Sequence, residues 1–231
     1  MLHTKDSLVV PREVALGAGI YTKQVLAFYD LQVVRFENTF VWKCPSSRML
    51  DHYNQHVSCN HLDVGVGTGY FLDHCCFPCQ QPRITLLDLN PNSLAYTAKR
   101  IRRYQPTTYQ ANVLEPIQLD LPRCDSIGMN MFLHCLPGPL LTKAQQVFNH
   151  LIPFLNPGGV LFGTTVLGKD QAYGPLGKLF MAVYNSPLLP NSRVLDNKND
   201  SLADLETVLA AHFGRYMVEQ VGHVAIFAGY C

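Results

Sequence analysis

A glycine-rich segment, DVGVGTG at 63–69, holds the first residues whose types and spacing could do chemistry. It follows a short apolar run and precedes a helical pattern, so it lies where a strand turns into a helix. Glycine suits such a turn because the chain can bend tightly and a ligand can approach the backbone without a Cβ in the way. Open α/β sheets bind ligands at turns of this kind. The segment therefore predicts a small-molecule binding loop.

Two ligand classes compete for this loop. The dinucleotide fingerprint GxGxxG, counted from Gly65, requires Gly or Ala at position 70, where this chain has Tyr70. Asp63 would also repel a pyrophosphate, whereas it can accept hydrogen bonds from a ligand ammonium, directly or through water. The loop thus favours a ligand without phosphate and argues against a NAD-dependent dehydrogenase.

Three more polar residues follow predicted strands. Asp88 ends the run RITLLD, 23 residues after Gly65, where an acid can accept both hydroxyls of an adenosine ribose. Asn112 could donate and accept at an adenine edge, with a turn-forming role as the alternative. His134 follows the run DSIGMNM, and its pKa near neutrality suits a general base. A histidine satisfied within the core is the alternative for His134.

The elements that must position these residues follow an alternating pattern. From residue 61 onward, short apolar runs alternate with helical patterns, which indicates βαβ units around a parallel sheet. A closing hairpin is predicted over 216–228, around Gly222 and His223. We expect an α/β fold, a doubly wound, mostly parallel seven-stranded sheet of Rossmann-like type. Strands are predicted at 61–66, 83–89, 107–113, 125–131 and 160–166, and helices at 70–76, 92–104, 141–155 and 201–213.

Two segments lie outside this alternation. Residues 1–60 are rich in aromatic side chains and predict an N-terminal helical cap over an α/β domain at 61–231. Residues 168–200 form a Gly/Pro/Asn-rich connection, longer than an ordinary loop, which predicts a substrate-side insertion. Tyr21 in the cap could close over a ligand cation, because aromatic faces stabilise positive charge. Packing between helices is the alternative for Tyr21.

Composition excludes several classes of function. The net charge of +1 gives no global attraction to nucleic acid or to an anionic membrane. Only 15% of the residues are charged, against about 25% typically, which favours a large apolar pocket. No 18-residue apolar run and no apolar leader segment occur, so we expect a cytoplasmic protein without membrane insertion. The eight cysteines are then expected as buried side chains or free thiols, and no second CxxC completes a metal site.

Four segments, in this order and spacing, resemble the successive motifs of class I S-adenosylmethionine-dependent methyltransferases: HLDVGVGTGYF, LLDLNPNSL, CDSIGMNMFLHCLPG and FLNPGGVLFG. The resemblance covers about residues 61–166, and it implies S-adenosylmethionine as the cofactor. The family's usual acid after the third strand is Asn112 here, which removes a charge but keeps an acceptor and a donor. The resemblance implies a set of cofactor-binding residues: Asp63, Gly65 and Gly67 at the methionine part, Asp88 at the ribose, Leu89 next to it in the chain, Asn112 and Val113 flanking the adenine, and Asn130 on the methionine side by its backbone carbonyl.

The resemblance implies methyl transfer to a small, largely apolar acceptor, at the oxygen of a phenol or carboxylate of secondary-metabolite type. Enzymes that methylate amino groups of DNA or glutamine typically carry Asn/Asp-Pro-Pro-Tyr/Phe after the fourth strand, and this chain has Asn130-Met131-Phe132-Leu133. His134 and Tyr21 are the candidate catalytic residues. The alternatives are a methyltransferase fold that catalyses another reaction, such as cyclisation, and a non-catalytic interaction module. Whether the chain forms a homodimer is left open by the sequence.

Overall fold

A computed structural model describes residues 2–3, 37–186 and 195–231 of the chain. Strands alternate with helices from residue 60 onward, as the sequence predicts. The strands are β1 (Leu2–His3), β2 (Asn60–Val64), β3 (Arg83–Asp88), β4 (Thr107–Gln110), β5 (Cys124–Asn130), β6 (Leu155–Val166), β7 (Arg215–Val221) and β8 (Val224–Tyr230). The helices are α1 (Ser46–His56), α2 (Tyr70–His74), α3 (Pro91–Arg100), α4 (Leu140–Leu151), α5 (Pro175–Tyr184) and α6 (Leu202–His212).

The strands form one sheet in the order β1-β4-β3-β2-β5-β6-β8-β7. All neighbouring pairs are parallel except that β8 runs antiparallel to both β6 and β7. The predicted seven-stranded, mostly parallel sheet is confirmed, and β1 adds a short eighth strand at one edge. The chain moves outward in one direction from β2 to β4 and in the other from β5, so the carboxyl ends of β2 and β5 flank the topological switch point.

Local sequence explains where two of the helices begin. Pro91 occupies the first turn of α3, and the side chain of Asn90 accepts a hydrogen bond from the Asn92 amide at 2.8 Å. Ser201 caps α6 by accepting from the Asp204 amide at 3.1 Å, as the sequence predicts. Each cap satisfies an amide that the helix itself leaves without a partner.

Apolar residues cover both faces of the sheet. One core cluster joins α4 and α6 to the sheet and includes Leu140, Val147 and Leu209. A second cluster, on α1 and α3, includes Tyr53 and Leu94. Helix α1 belongs to the stretch predicted as a cap, yet its Tyr53 is fully buried in the α/β core.

Two elements differ from the predicted ones. Strand β6 begins at Leu155 and continues through Asn156-Pro157-Gly158-Gly159, which the sequence indicates as a break. The strand tolerates these residues because Gly158 donates its amide to the Cys231 carbonyl (3.1 Å) and the pairing with β5 shifts register there. The predicted insertion at 168–200 contains α5.

The cysteine prediction is wrong at two positions. Cys59 and Cys79 form a disulfide, with their Cα atoms 5.9 Å apart. Parallel pairing of β2 with β3 brings the residue before β2 beside the segment that leads into β3, and the Arg83 amide donates to the Cys59 carbonyl at 2.7 Å. Cys76, which has CxxC spacing with Cys79, keeps a free and exposed thiol.

The described residues hold neither a cluster of metal ligands nor a membrane-spanning helix. Within residues 37–186 and 195–231, no group of three His, Cys, Asp or Glu side chains is arranged to hold a metal ion. None of the helices described above is both long and apolar enough to cross a membrane.

Candidate active site

The glycine loop between β2 and α2 adopts backbone angles that favour glycine. The φ values are +68° at Gly65, +51° at Gly67 and +71° at Gly69. A Cβ on Gly65 would overlap the ring of Phe132, so packing requires glycine there. A Cβ on Gly67 would meet no atom within 4 Å, so this part of the loop faces open space. A ligand can therefore approach the backbone at Gly67.

Asp88 lies at the end of β3, directly beside the glycine loop. Its Oδ1 accepts a hydrogen bond from the Asn90 amide at 2.8 Å. Burial raises the pKa of the Asp88 carboxyl to about 6, although hydrogen bonds from the amides of Asn90, Gly67 and Val66 lower it. A carboxylate placed here, next to the open face at Gly67, can accept hydrogen bonds from ribose hydroxyls.

Asp63 lies near the end of β2, and its residue is only 7% exposed. Two side chains lie close to its carboxylate. The Tyr53 hydroxyl donates to Asp63 Oδ2 at 2.7 Å. His61 Nε2 lies 3.5 Å from the same oxygen. The acid is thus fixed in orientation at the base of the glycine loop.

Asn130 ends β5 and carries a buried donor without a partner. Its Oδ1 accepts from the Thr164 hydroxyl at 3.2 Å. Its Nδ2 is buried and has no hydrogen-bond partner among the described residues. A buried donor left without a partner costs about 1–3 kcal/mol, so a ligand that accepts from Asn130 would relieve this cost.

The predicted adenine residues lie after β4, next to β3. Asn112 is buried, and its Oδ1 accepts from the Leu114 amide at 3.1 Å, which is the turn-forming role. Val113 is buried in the core, and its carbonyl lies 2.9 Å from His150 Nδ1. The carbonyl of Leu89 accepts from Gln110 Nε2 at 2.9 Å. The contact of Leu89 with the cofactor and the contacts of Asn112 and Val113 with adenine stay predictions.

His134 lies in a short 3₁₀ turn after β5 and is buried. Its Nδ1 accepts from the Val166 amide at 3.2 Å, which places the ring proton on Nε2. Burial, with the nearby positive charge of Lys143, lowers the pKa of His134 to about 3. This geometry favours the core-histidine alternative. The base role of His134 stays a prediction, and Tyr21 lies outside the described residues.

Sequence reasoning did not single out three side chains of this site. Phe132 excludes a side chain at Gly65, and Thr164 binds both the amide of Met131 and the amide oxygen of Asn130. Tyr53 reaches Asp63 from a helix that precedes the α/β pattern. The sequence around Tyr53 contains no motif that predicts its contact with Asp63, because α1 belongs to the stretch predicted as a cap.

Taken together, these groups fit a ligand with a ribose and an amino-acid part. Asp88 offers a carboxylate at one side of Gly67, where the loop is open. Asp63 supplies negative charge for an ammonium, and Asn130 supplies a donor that lacks a protein partner. This donor and acceptor set suits S-adenosylmethionine, and the contacts of these residues with it stay predictions.

The chain is similar to known methyltransferases. A family model described as a methyltransferase domain matches residues 62–161. The chain is 39% identical to demethylluteothin O-methyltransferase of Streptomyces thioluteus, covering 97% of this chain and 94% of the relative. It is 36% identical to a physcion biosynthesis cluster O-methyltransferase of Aspergillus chevalieri, covering 91% and 93%.

The fold is also shared with solved structures. A structure of DhpI in complex with SAH has a TM-score of 0.67 at 16% identity, covering 94% of this chain and 96% of that one. The sheet order, the glycine loop and the relatives lead to one family. This chain belongs to the class I S-adenosylmethionine-dependent methyltransferases, and S-adenosylmethionine is its cofactor.

Proposed function

We propose that this methyltransferase methylates an oxygen of a small, largely apolar molecule, a phenol or carboxylate of secondary-metabolite type. The observation that carries the proposal is an apolar cluster next to Asn130, at the carboxyl end of β5 and β6. Val166, Tyr173 and Met181 belong to its buried part. Met131 and Cys135, which follow β5, are only partly buried against it.

The names of two relatives support this acceptor class. Both are O-methyltransferases, and one belongs to the physcion biosynthesis cluster. Their similarity extends over more than nine tenths of this chain, including the segments outside the glycine loop. Residues that shape the acceptor side are therefore included in the match.

We assign the cofactor contacts as the sequence predicts them. Asp63 would hold the ammonium of the methionine part, Asp88 the ribose hydroxyls, and Asn130 the methionine side. When bound, the cofactor supplies an electrophilic methyl group. The protein contributes orientation, because aligning acceptor and methyl group accounts for much of the rate in such a transfer.

The state of His134 bears on which oxygen is methylated. A buried imidazole with a pKa of about 3, whose Nδ1 already accepts from the Val166 amide, is a poor base at neutral pH. A phenol or a carboxylic acid needs little help to lose its proton, whereas an aliphatic alcohol needs a strong base. The site therefore favours acidic hydroxyl groups.

The proposal is tested by supplying methyl-labelled S-adenosylmethionine with matched phenols, carboxylic acids, aliphatic alcohols and aromatic amines. We expect labelled methyl ethers or esters from the first two, identified by mass spectrometry. The Gly67→Val variant is the control, because its side chain would occupy the open space at the loop. Transfer to amines alone would contradict the proposal. A cytoplasmic location, a homodimer and the absence of nucleic-acid binding stay predictions.

A further inference from the structure

A continuous chain of buried hydrogen bonds leads from Ser58 to Asp63. The Ser58 amide donates to Ser126 Oγ at 2.9 Å, and Ser126 Oγ lies 2.8 Å from His61 Nδ1. His61 Nε2 lies 2.8 Å from the Tyr53 hydroxyl, which donates to Asp63 Oδ2 at 2.7 Å. Tyr53 comes from α1, His61 and Asp63 from β2 and Ser126 from β5, whereas the partly buried Ser58 lies between α1 and β2. The network therefore connects the helix before the sheet to the acid at the glycine loop.

The direction of each bond follows from the acid at its end. An ionised carboxylate only accepts, so the Tyr53 hydroxyl donates to Asp63. The Tyr53 oxygen then accepts from His61 Nε2–H, and His61 Nδ1 accepts from the Ser126 hydroxyl. Burial and the negative charge of Asp63 raise the pKa of Tyr53 well above its ordinary value. The hydroxyl thus keeps its proton and stays a donor.

The Tyr53 ring is held in place by aromatic neighbours. Phe71, in α2 directly after the glycine loop, stacks on it with centroids 5.7 Å apart and an interplanar angle of 13°. Phe162, on β6, packs edge-on at 5.2 Å. Tyr53 is fully buried, so its hydroxyl has one position relative to Asp63. Packing of this kind preorganises a binding group.

We propose that Tyr53 and His61 are positioning residues that hold Asp63 in the orientation needed to bind the ammonium group of the cofactor. The inference rests on the proposed assignment of Asp63 to the methionine part. The Tyr53 hydroxyl donates to Oδ2, and His61 Nε2 orients that hydroxyl and lies 3.5 Å from the same oxygen, so the carboxylate is restrained in rotation and Oδ1 is left outside these contacts. A fixed carboxylate binds an ammonium more tightly than a rotating one, because less freedom is lost on binding.

The experiment compares two ligands with the Tyr53→Phe variant. S-adenosylhomocysteine carries the ammonium, whereas 5′-methylthioadenosine has the same nucleoside and thioether without the amino-acid part. We expect calorimetry to show a three- to tenfold weaker affinity for S-adenosylhomocysteine, of the order that one lost hydrogen bond gives, and an unchanged affinity for methylthioadenosine. A purely structural loss would weaken both ligands alike.

Tyr230→Phe is the matched control. The Tyr230 hydroxyl lies 3.0 Å from His56 Nε2, so its removal also deletes a Tyr–His contact to α1, but one that does not involve Tyr53, His61 or Asp63. We expect neither affinity to change in this variant. Melting temperatures of both variants show whether the fold is retained.

The Asp63→Asn variant distinguishes the assignment of Asp63 to the ammonium from the positioning role of Tyr53. If Asp63→Asn weakens S-adenosylhomocysteine selectively and Tyr53→Phe does not, the positioning role is overturned while the assignment of Asp63 stands. If Asp63→Asn leaves the ratio of the two affinities unchanged, the assignment fails, and the inference fails with it. Selective weakening by both variants supports both.

Discussion

At the scale of single residues, Asp88 carries the clearest dependence on pH. Its carboxyl has a pKa of about 6, raised from 3.8 chiefly by burial, so a large part of it is protonated below pH 6. Only the ionised form offers full acceptors to two ribose hydroxyls. We expect the affinity for S-adenosylhomocysteine to rise between pH 5 and pH 7 (about one unit on each side of the pKa) and then to level off. Calorimetry across this range measures it.

Two variants of Asp88 distinguish the effect of its negative charge from the effect of its side-chain shape on cofactor binding. Asp88→Ala should cost about 1.5–3 kcal/mol of binding free energy at pH 7.5, because charge-assisted hydrogen bonds are lost. Asp88→Asn should bind with intermediate affinity and show no rise between pH 5 and pH 7. An unchanged affinity in Asp88→Ala would remove this residue from the site.

His134 is expected to stabilise the fold. Its pKa is lowered from 6.5 to about 3, so the folded state disfavours the charged imidazole. The contribution of the neutral His134 side chain to the free energy of unfolding is therefore fully present above pH 6.5. It is lost as the pH falls toward 3, because the unfolded state takes up the proton more readily. In His134→Ala the Val166 amide loses its buried acceptor, which we expect to cost about 1–3 kcal/mol of unfolding free energy.

The same variant tests the catalytic alternative. We expect the melting temperature to fall while the pH profile of turnover keeps its shape. Loss of an ascending limb near neutrality, at an unchanged melting temperature, would instead identify His134 as the general base.

At the scale of elements, a buried ion pair joins α4 to the segment before α6. Lys143 Nζ lies 2.8 Å from Asp200 Oδ2, and both side chains are 1% exposed. Lys143 also donates to the carbonyls of Leu136 (3.1 Å) and Asp196 (2.7 Å). The Asp196 amide in turn donates to the His134 carbonyl at 2.8 Å. The pair therefore fixes the end of the 168–200 connection beside the turn that follows β5.

We expect Lys143→Met to lower the free energy of unfolding by about 3–5 kcal/mol, because the Asp200 charge stays buried without its partner. Asp200→Asn in the Lys143→Met background should recover part of the loss. Urea unfolding measures both, with Lys169→Met at an exposed position as the control. Equal stability of Lys143→Met and the native chain would contradict a structural role for the pair.

An element could be predicted when the interactions that determine it involve residues close together in the sequence. Strands β2, β3 and β5 and the capped helices α3 and α6 were recognisable because apolar runs and capping residues are local signals. The passage of β6 through Pro157 and Gly158 was not, because it depends on pairing with β5 and on the distant Cys231 carbonyl. The Cys59–Cys79 disulfide likewise depends on the β2–β3 pairing.

At the scale of the whole molecule, the sequence predicted the sheet and the loop but not how the segment before β2 packs. Asp63, Gly67 and Asp88 come together because the carboxyl ends of adjacent parallel strands meet at one edge. Tyr53 joins them only through tertiary packing of α1, for which the chain has no short-range pattern. Part of the predicted cap is therefore core, and this includes Val41 and Trp42 before α1, which are buried as well.

One contact joins Glu37, the first residue of the described range 37–186, to the helix of the 168–200 insertion. The Tyr184 hydroxyl, at the end of α5, donates to Glu37 Oε1 at 2.8 Å. The chain at position 37 is therefore attached to the insertion that we assign to the substrate side. Residues 4–36, which include Tyr21, lie outside the described residues, and their role as a cap over the cofactor and acceptor stays a prediction.

Point changes at Tyr21 test this role without exposing apolar surface, which deletion of residues 1–36 would do. If the ring covers the sulfonium, Tyr21→Phe should keep most of the affinity for S-adenosylmethionine, and Tyr21→Ala should lose about 1–2 kcal/mol. The uncharged S-adenosylhomocysteine sulfur is the control, since its affinity should change less in Tyr21→Ala than that of the sulfonium. Equal losses for both ligands, or a loss in Tyr21→Phe as large as in Tyr21→Ala, would show that the ring does not cover the cation.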